Sequence, residues 1–235
     1  MRHEARKTVQ RLLKEGNLPG LLDFAGELHG HFCPGLAFGV KAGYLGLRKL
    51  DFENTGMEEL IAIVECNNCF VDGIQITTGC SFGNNALIYK DFGKTAVTIA
   101  SRKLQKAFRV VLRRWENKEP SDKEKEAREL FDRVVKKREK EPETVRRMRE
   151  LWAELSFATL ERPDEELFDA REVPLELPAY APIFDDAACS KCGETCMETR
   201  AVLAGGKPHC IPCAGTDYFM VAGKGIHPVQ GTSNR

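Results

Sequence analysis

Two Cys-x-x-Cys knuckles stand near the end of the chain, Cys189-Ser-Lys-Cys192 and Cys210-Ile-Pro-Cys213, with seventeen residues between them. Two thiolates from each knuckle can complete a tetrahedron around Zn²⁺. Four protein ligands leave no open position, so the site they predict is structural rather than catalytic. Cys196 and His209 lie close enough in sequence to replace a knuckle cysteine, but the regular spacing favours the four-cysteine set. Zinc knuckles serve nucleic acids, proteins and plain stability alike, so this site alone names no function.

A second group is more unusual. His29-Gly-His31-Phe-Cys33-Pro-Gly35 is followed by Cys66, Cys69 and Cys80. A lone Cys or His would read as a core residue. Three ligand-type side chains within five residues, at a helix entrance, read as a site. Imidazole with thiolate suits Zn²⁺ and other borderline or soft metals, not Mg²⁺ or Ca²⁺. Pro34-Gly35 places Cys33 just before a helix start, where partial positive charge favours the thiolate. Spacing leaves open whether Cys33 or Cys80 is a metal ligand or a nucleophile, and no base partner is evident. Cys66 and Cys69 form a third Cys-x-x-Cys with three readings: a redox pair, two metal ligands, or one functional thiol beside a bystander. The redox reading requires the pair to open the helix of a β–α–β unit. Cys80 sits in the glycine-framed loop Thr78–Asn85, and Asp72, Gln75, Asp91 and Lys94 are polar residues placed to line a pocket.

The bulk of the chain limits the classes. Its 235 residues balance 35 basic against 35 acidic side chains, which gives no global attraction to nucleic acid or an acidic membrane. No apolar run approaches the roughly eighteen residues of a membrane span, and residues 1–14 carry no signal-peptide apolar core. The expectation is a cytoplasmic protein whose nine cysteines are ligands or reactive thiols rather than disulfides.

The elements that must position these groups can be read from periodicity. Helices are expected over Ala5–Leu13, Pro19–Leu28, from Pro34 to about Leu50, and over Val71–Thr77. Strands are expected at Leu60–Val64 and Phe108–Leu112, with Leu87–Tyr89 and Thr95–Ala100 as a hairpin around Asp91-Phe92-Gly93. The charged stretch from Trp115 to Arg149, divided by Pro120 and Pro142, reads as two amphipathic helices with solvated outer faces. Val173–Ile183, with three prolines, reads as a linker. The fold class is α+β, a mixed helix and antiparallel-sheet core over 1–184 with a zinc module and tail over 185–235. The tail beyond Gly225 is expected to be mobile.

The run from His29 to Cys33, then Cys69-Phe-Val-Asp72-Gly-Ile-Gln75-Ile-Thr-Thr-Gly79-Cys80-Ser-Phe-Gly83-Asn-Asn85, then Asp91-Phe-Gly93-Lys94, resembles the FmdE family, named for its association with formylmethanofuran dehydrogenase. The resemblance spans roughly residues 20 to 115. It implies a homodimeric α+β core with a His/Cys pocket that holds a metal, through His29, His31, Cys33, Cys69 and Cys80. It places Asp72, Gln75 and Lys94 among the binding residues. It also implies an accessory role beside molybdenum- or tungsten-dependent formylmethanofuran dehydrogenase, which handles one-carbon units in methanogenesis. Cys66 is not part of the family pattern. The C-terminal knuckles resemble the treble-clef zinc finger that members often carry, with a hairpin over Arg200–Lys207 turning at Gly205-Gly206 and a helix over Ala214–Ala222. Two readings follow: a metal-binding accessory protein with structural zinc and a second metal, zinc or another transition metal, in the core; or a zinc-finger adaptor for protein or nucleic acid, with the core as a dimerisation platform.

Overall fold

The computed structural model describes residues 5–50, 56–114 and 119–232. The chain divides into two compact units, 1–178 and 179–235. None of the helices among the described residues is long and apolar enough to cross a membrane.

The first unit begins with helices α1 (Lys7–Glu15), α2 (Leu18–His29) and α3 (Pro34–Leu47). Strand β1 (Leu60–Val64) leads into α4 (Cys69–Thr78), and β2 (Leu87–Tyr89), β3 (Ala96–Ser101) and β4 (Lys106–Leu112) follow. Next come α5 (Asp122–Phe131), a π-helical turn (Asp132–Lys136), α6 (Pro142–Glu161), the short α7 (Asp164–Leu167) and β5 (Phe168–Val173). The five strands form one sheet in the order β2-β1-β3-β4-β5.

The expected hairpin between Leu87–Tyr89 and Thr95–Ala100 does not form. β2 pairs parallel with β1, and β3 pairs antiparallel with the other side of β1. The turn instead carries the chain past the end of β1, where Lys90 donates to the Val64 carbonyl and Lys94 to that of Glu65. The reason lies in β1 itself. All five of its residues are apolar and buried, so a neighbour on each edge satisfies its backbone out of water. The charged stretch forms two helices, as its spacing predicts, though Trp115 lies outside the described residues. A Ser121–Glu124 capping box starts α5.

The most consequential packing is between α3 and α4. A side-chain carbon at Gly39 would sit 2.0 Å from the Phe70 carbonyl oxygen, and one at Gly73 would sit 2.5 Å from the Val40 nitrogen. The two backbones therefore touch, which fixes the start of one helix against the start of the other. Gly43 and Gly46 are filled by Thr77 and Ile99. The glycine face of α3 is thus used up within the chain and offers no bare surface to a second copy.

Lys41 ties α3 to the end of α6. Its Nζ donates to the carbonyls of Leu160 (3.0 Å) and Arg162 (2.8 Å) and pairs with Asp164 (3.0 Å), and the residue is 4% exposed. Lys41→Met is expected to lower stability by about 3 kcal/mol, because a buried carboxylate partner and two carbonyls lose their donor. A urea midpoint unchanged from the parent protein would refute this role.

The second unit holds three two-stranded sheets: β6 (Asp186–Ala188) with β7 (Thr195–Met197), β8 (Ala201–Ala204) with β9 (Lys207–Cys210), and β10 (Tyr218–Ala222) with β11 (Gly225–Val229). The β8–β9 hairpin turns at Gly205-Gly206, as its sequence predicts, with both glycines at positive φ. A single helical turn, α8 (Ile211–Ala214), follows. The helix expected over Ala214–Ala222 is absent: Gly215 in the left-handed region ends α8, and the β-rich run Tyr218–Ala222 pairs with β11 instead. The tail is likewise ordered as far as β11, and Gly231 donates to the Asp217 carboxylate. Ser233 and Asn234 lie outside the described residues.

Candidate metal centres

The four knuckle cysteines converge. Their sulfur atoms all lie within 4.8 Å of one another. Cys192 and Cys210 are 3.9 Å apart, close to the edge of about 3.8 Å that a tetrahedron with Zn–S near 2.3 Å requires, and far from a disulfide bond of about 2.05 Å. Backbone amides of Cys192 and Cys210 pull the Cys189 thiol down to about 5, and burial pushes Cys213 up to about 12. Zinc resolves that contrast by taking all four as thiolates. Cys196 turns away to the Ala187 carbonyl, and His209 Nδ1 lies 3.1 Å from the Lys207 carbonyl. Neither replaces a knuckle ligand. The four-sulfur donor set fits a closed structural zinc site.

The core site is assembled by helix termini. α2 ends at His29, and Gly30, at φ +84°, reverses the chain. Phe32 then wedges over Gly26 and against Phe157, which pins the loop between α2 and α3. Cys33 is the N-cap of α3 and Cys69 the first residue of α4. Because the glycine contact presses these helices together, both thiols sit at adjoining positive helix ends. The two share a hydrogen bond. That bond, with His29 nearby, lowers Cys69 to about 6, while the same bond and burial push Cys33 upward.

Asp72, in the first turn of α4, accepts from His29 Nδ1 at 2.7 Å and from Gln75 Nε2 at 3.0 Å. This leaves His29 Nε2 facing Cys33 Sγ at 3.8 Å. A carboxylate that holds one imidazole nitrogen and presents the other is the usual support of a metal-bound histidine. His31 stacks between His29 (4.4 Å) and Trp152 (5.8 Å). Burial, with the positive charge of His29 and Arg149, lowers its pKa and keeps it neutral. Donor atoms of His29, His31 and Cys33 all lie within 4.8 Å of one another.

Other expected site residues fall elsewhere. Cys80 lies beyond the far end of α4, a helix about 15 Å long. It is fully buried, donates to the Leu60 carbonyl, and is pushed up to about 11 by burial. It is a core residue. Lys94 is exposed, and its backbone closes the turn over β1. β1, α4 and β2 do form a parallel β–α–β unit in which Cys69 opens the helix. The thiol facing Cys69, however, is Cys33, while Cys66 points to Asn68. Sequence reasoning missed the contribution of α6: Trp152 reaches His31, and nothing in its helical spacing separates it from a core residue.

Beside Cys33 and Cys69 opens a cavity of about 1000 Å³ between α3, α5 and α6. Four cations line it, Arg113, Arg128, Lys136 and Arg162, against two acids, Glu124 and Asp132, a surplus of two positive charges.

Residues 28–169 match the FmdE family, described as "Molybdenum formylmethanofuran dehydrogenase operon". Residues 182–219 match the prokaryotic dksA/traR C4-type zinc finger. The chain is 44% identical over 223 residues to a "Probable S-adenosyl-L-methionine-binding protein" of Archaeoglobus fulgidus, covering 92% of this chain and 58% of that relative. It thus spans little more than half of the relative's length. In fold it is similar to an FmdE-like protein of tungsten formylmethanofuran dehydrogenase from Syntrophus aciditrophicus. The TM-score there is 0.50 at 23% identity, over 84% of this chain and 92% of that one. With its core matched over most of its length and its four-cysteine module matched separately, the chain belongs to the FmdE family and carries a C-terminal C4 zinc finger.

Proposed function

We propose that the core unit is a metal centre, distinct from the structural zinc, in which His29 Nε2, His31 and Cys33 hold a Zn²⁺-like ion. The observation that carries this reading is the convergence of those three donors, with Asp72 fixing the imidazole of His29. Three protein ligands leave a coordination position open, as in zinc sites that act on a bound molecule. When bound, the metal supplies Lewis acidity there. The chain orients it through Asp72 and Gln75 and offers Cys69 as a thiolate beside it. We place this centre in an accessory protein of molybdenum- or tungsten-dependent one-carbon metabolism, on the strength of the family alone. S-adenosyl-L-methionine, named for the Archaeoglobus relative, carries a sulfonium cation. The cation surplus of the cavity opposes it, so we assign that ligand no place there.

Protein purified without added metal is expected to hold two zinc ions per chain, falling to one in Cys33→Ser and His31→Ala. The core ion should leave first to a weak chelator. Its affinity should fall with pH, because protons compete for imidazole and thiolate. The lowered pKa of His31 moves that competition below its ordinary value of 6.5. One zinc per chain in the parent protein, unchanged in both variants, would leave these residues a thiol role without metal.

A homodimer remains part of the proposal on family grounds only, since the glycines of α3 are consumed internally. Sedimentation at micromolar concentration is expected to give twice the chain mass. A single-chain mass would remove the dimer.

A further inference from the structure

The cavity beside Cys33 and Cys69 exists because the unit has two hydrophobic clusters rather than one. The main cluster joins the sheet to α2, α3 and α4, and Phe38 and Leu112 pack against it. A satellite of Ala127, Leu130, Met148 and Leu151 holds α5 to α6 alone. Trp152 belongs to both, and the cavity opens along the seam between them. Its volume of about 1000 Å³ is at the top of the range for small-molecule sites.

Its charge is uneven in a way that internal pairing does not remove. Glu124 is occupied in the capping box with Ser121, and Asp132 pairs with Lys136 at 2.6 Å. Arg162 reaches Glu166 at 3.3 Å. Arg113 spends only its Nε, on the Phe168 carbonyl at 3.0 Å. Arg128 has no acceptor among the described residues, although it lines an otherwise largely apolar space. Phe131 and Trp152 lie 5.9 Å apart at 30° and present flat faces to the same seam. The π-helical turn that carries Asp132 and Lys136 into the lining is a distortion often found where helices border functional sites.

We propose that this cavity is the substrate chamber of the core metal centre and takes an organic anion with a flat apolar body, packed against Phe131 and Trp152 and neutralised by Arg113 and Arg128. The proposal rests on the metal reading for the word substrate, and on the cavity alone for the class of ligand. Guanidinium groups pair with carboxylates, sulfonates or phosphates through two parallel hydrogen bonds, and they do so more strongly beside apolar walls than in open water. Aromatic faces then select a planar body.

The test uses the full chain and two probes with the same aromatic body. One is the anion 1-anilinonaphthalene-8-sulfonate; the other is neutral N-phenyl-1-naphthylamine. Binding is followed by calorimetry and by energy transfer from tryptophan, with bound zinc measured in each sample. One anion per chain is expected, held about tenfold more tightly than the neutral probe. Arg128→Glu should lower anion affinity about tenfold and leave the neutral probe within about twofold. Ala158→Trp, which adds bulk at an exposed lining position, should abolish both. Equal affinity for the two probes, or binding that survives Ala158→Trp, overturns the proposal. Two zincs per chain with no anion preference would overturn the chamber and leave the metal reading intact. One zinc per chain with the anion preference kept would overturn the metal reading and support the cavity as an anion site.

Discussion

Cys213→Ser is expected to release one zinc per chain and unfold residues 179–235, while the first unit stays folded. The reason is the composition of the second unit's interior. Its buried cluster consists of Cys189, Cys210 and Cys213, with Cys196 packed at its edge. The large apolar side chains of β10, by contrast, are exposed: Tyr218, Phe219, Met220 and Val221. Three two-stranded sheets of three to five residues cannot stand on hairpin pairing alone. The metal must supply the missing core, and structural zinc contributes about 10–16 kcal/mol in comparable modules. Loss of the amide dispersion of residues 179–235 in nuclear magnetic resonance spectra, with the first unit's signals unmoved, is the expected readout. Stoichiometric zinc retained in both Cys189→Ser and Cys213→Ser would refute the four-cysteine site.

Gly39→Ala is expected to be the most damaging single-methyl change in the first unit. An added carbon would meet the Phe70 carbonyl oxygen at 2.0 Å and the Phe70 carbonyl carbon at 2.8 Å, both backbone atoms that no rotamer change can move. α3 must then lift from α4. The expected cost is about 3 kcal/mol or more, at the upper end for overpacked cores. The same displacement separates Cys33 from Cys69, because each opens one of the two helices. The variant should therefore lose the lowered thiol pKa of Cys69, which depends first on the Cys33 hydrogen bond. Slow alkylation of Cys69 at neutral pH in Gly39→Ala, against fast alkylation in the parent metal-free protein, would show this. Unchanged stability and unchanged alkylation together would mean the helices do not need their close approach.

Much of this arrangement was legible before any coordinates. The knuckle spacing, the α3 start at Pro34, the fully apolar β1 and the paired amphipathic helices are local signals. Each depends on residues within a turn or two of one another, where backbone geometry leaves few choices. The family resemblance added the grouping of the His29–Cys33 run with Cys69 and Asp72.

Local pattern could not decide which distant groups meet. Leu87–Tyr89 and Thr95–Ala100 read as a hairpin because a turn lies between them. β1 claims both edges, since leaving either one open would strand its buried backbone groups. Tyr218–Ala222 read as a helix after the last knuckle, and pairing with Gly225–Val229 makes it a strand. Cys80 and Cys69 stood as equals in sequence, yet they are separated by the length of α4, so one is a core thiol and the other faces Cys33. What the sequence by itself determined was the chemistry available: a closed four-thiolate zinc site and an imidazole–thiolate cluster at a helix entrance. Only the tertiary structure decided who joins that cluster. The contact at Gly39 and Gly73 sets two helix ends side by side, and that depends on backbone atoms some thirty residues apart.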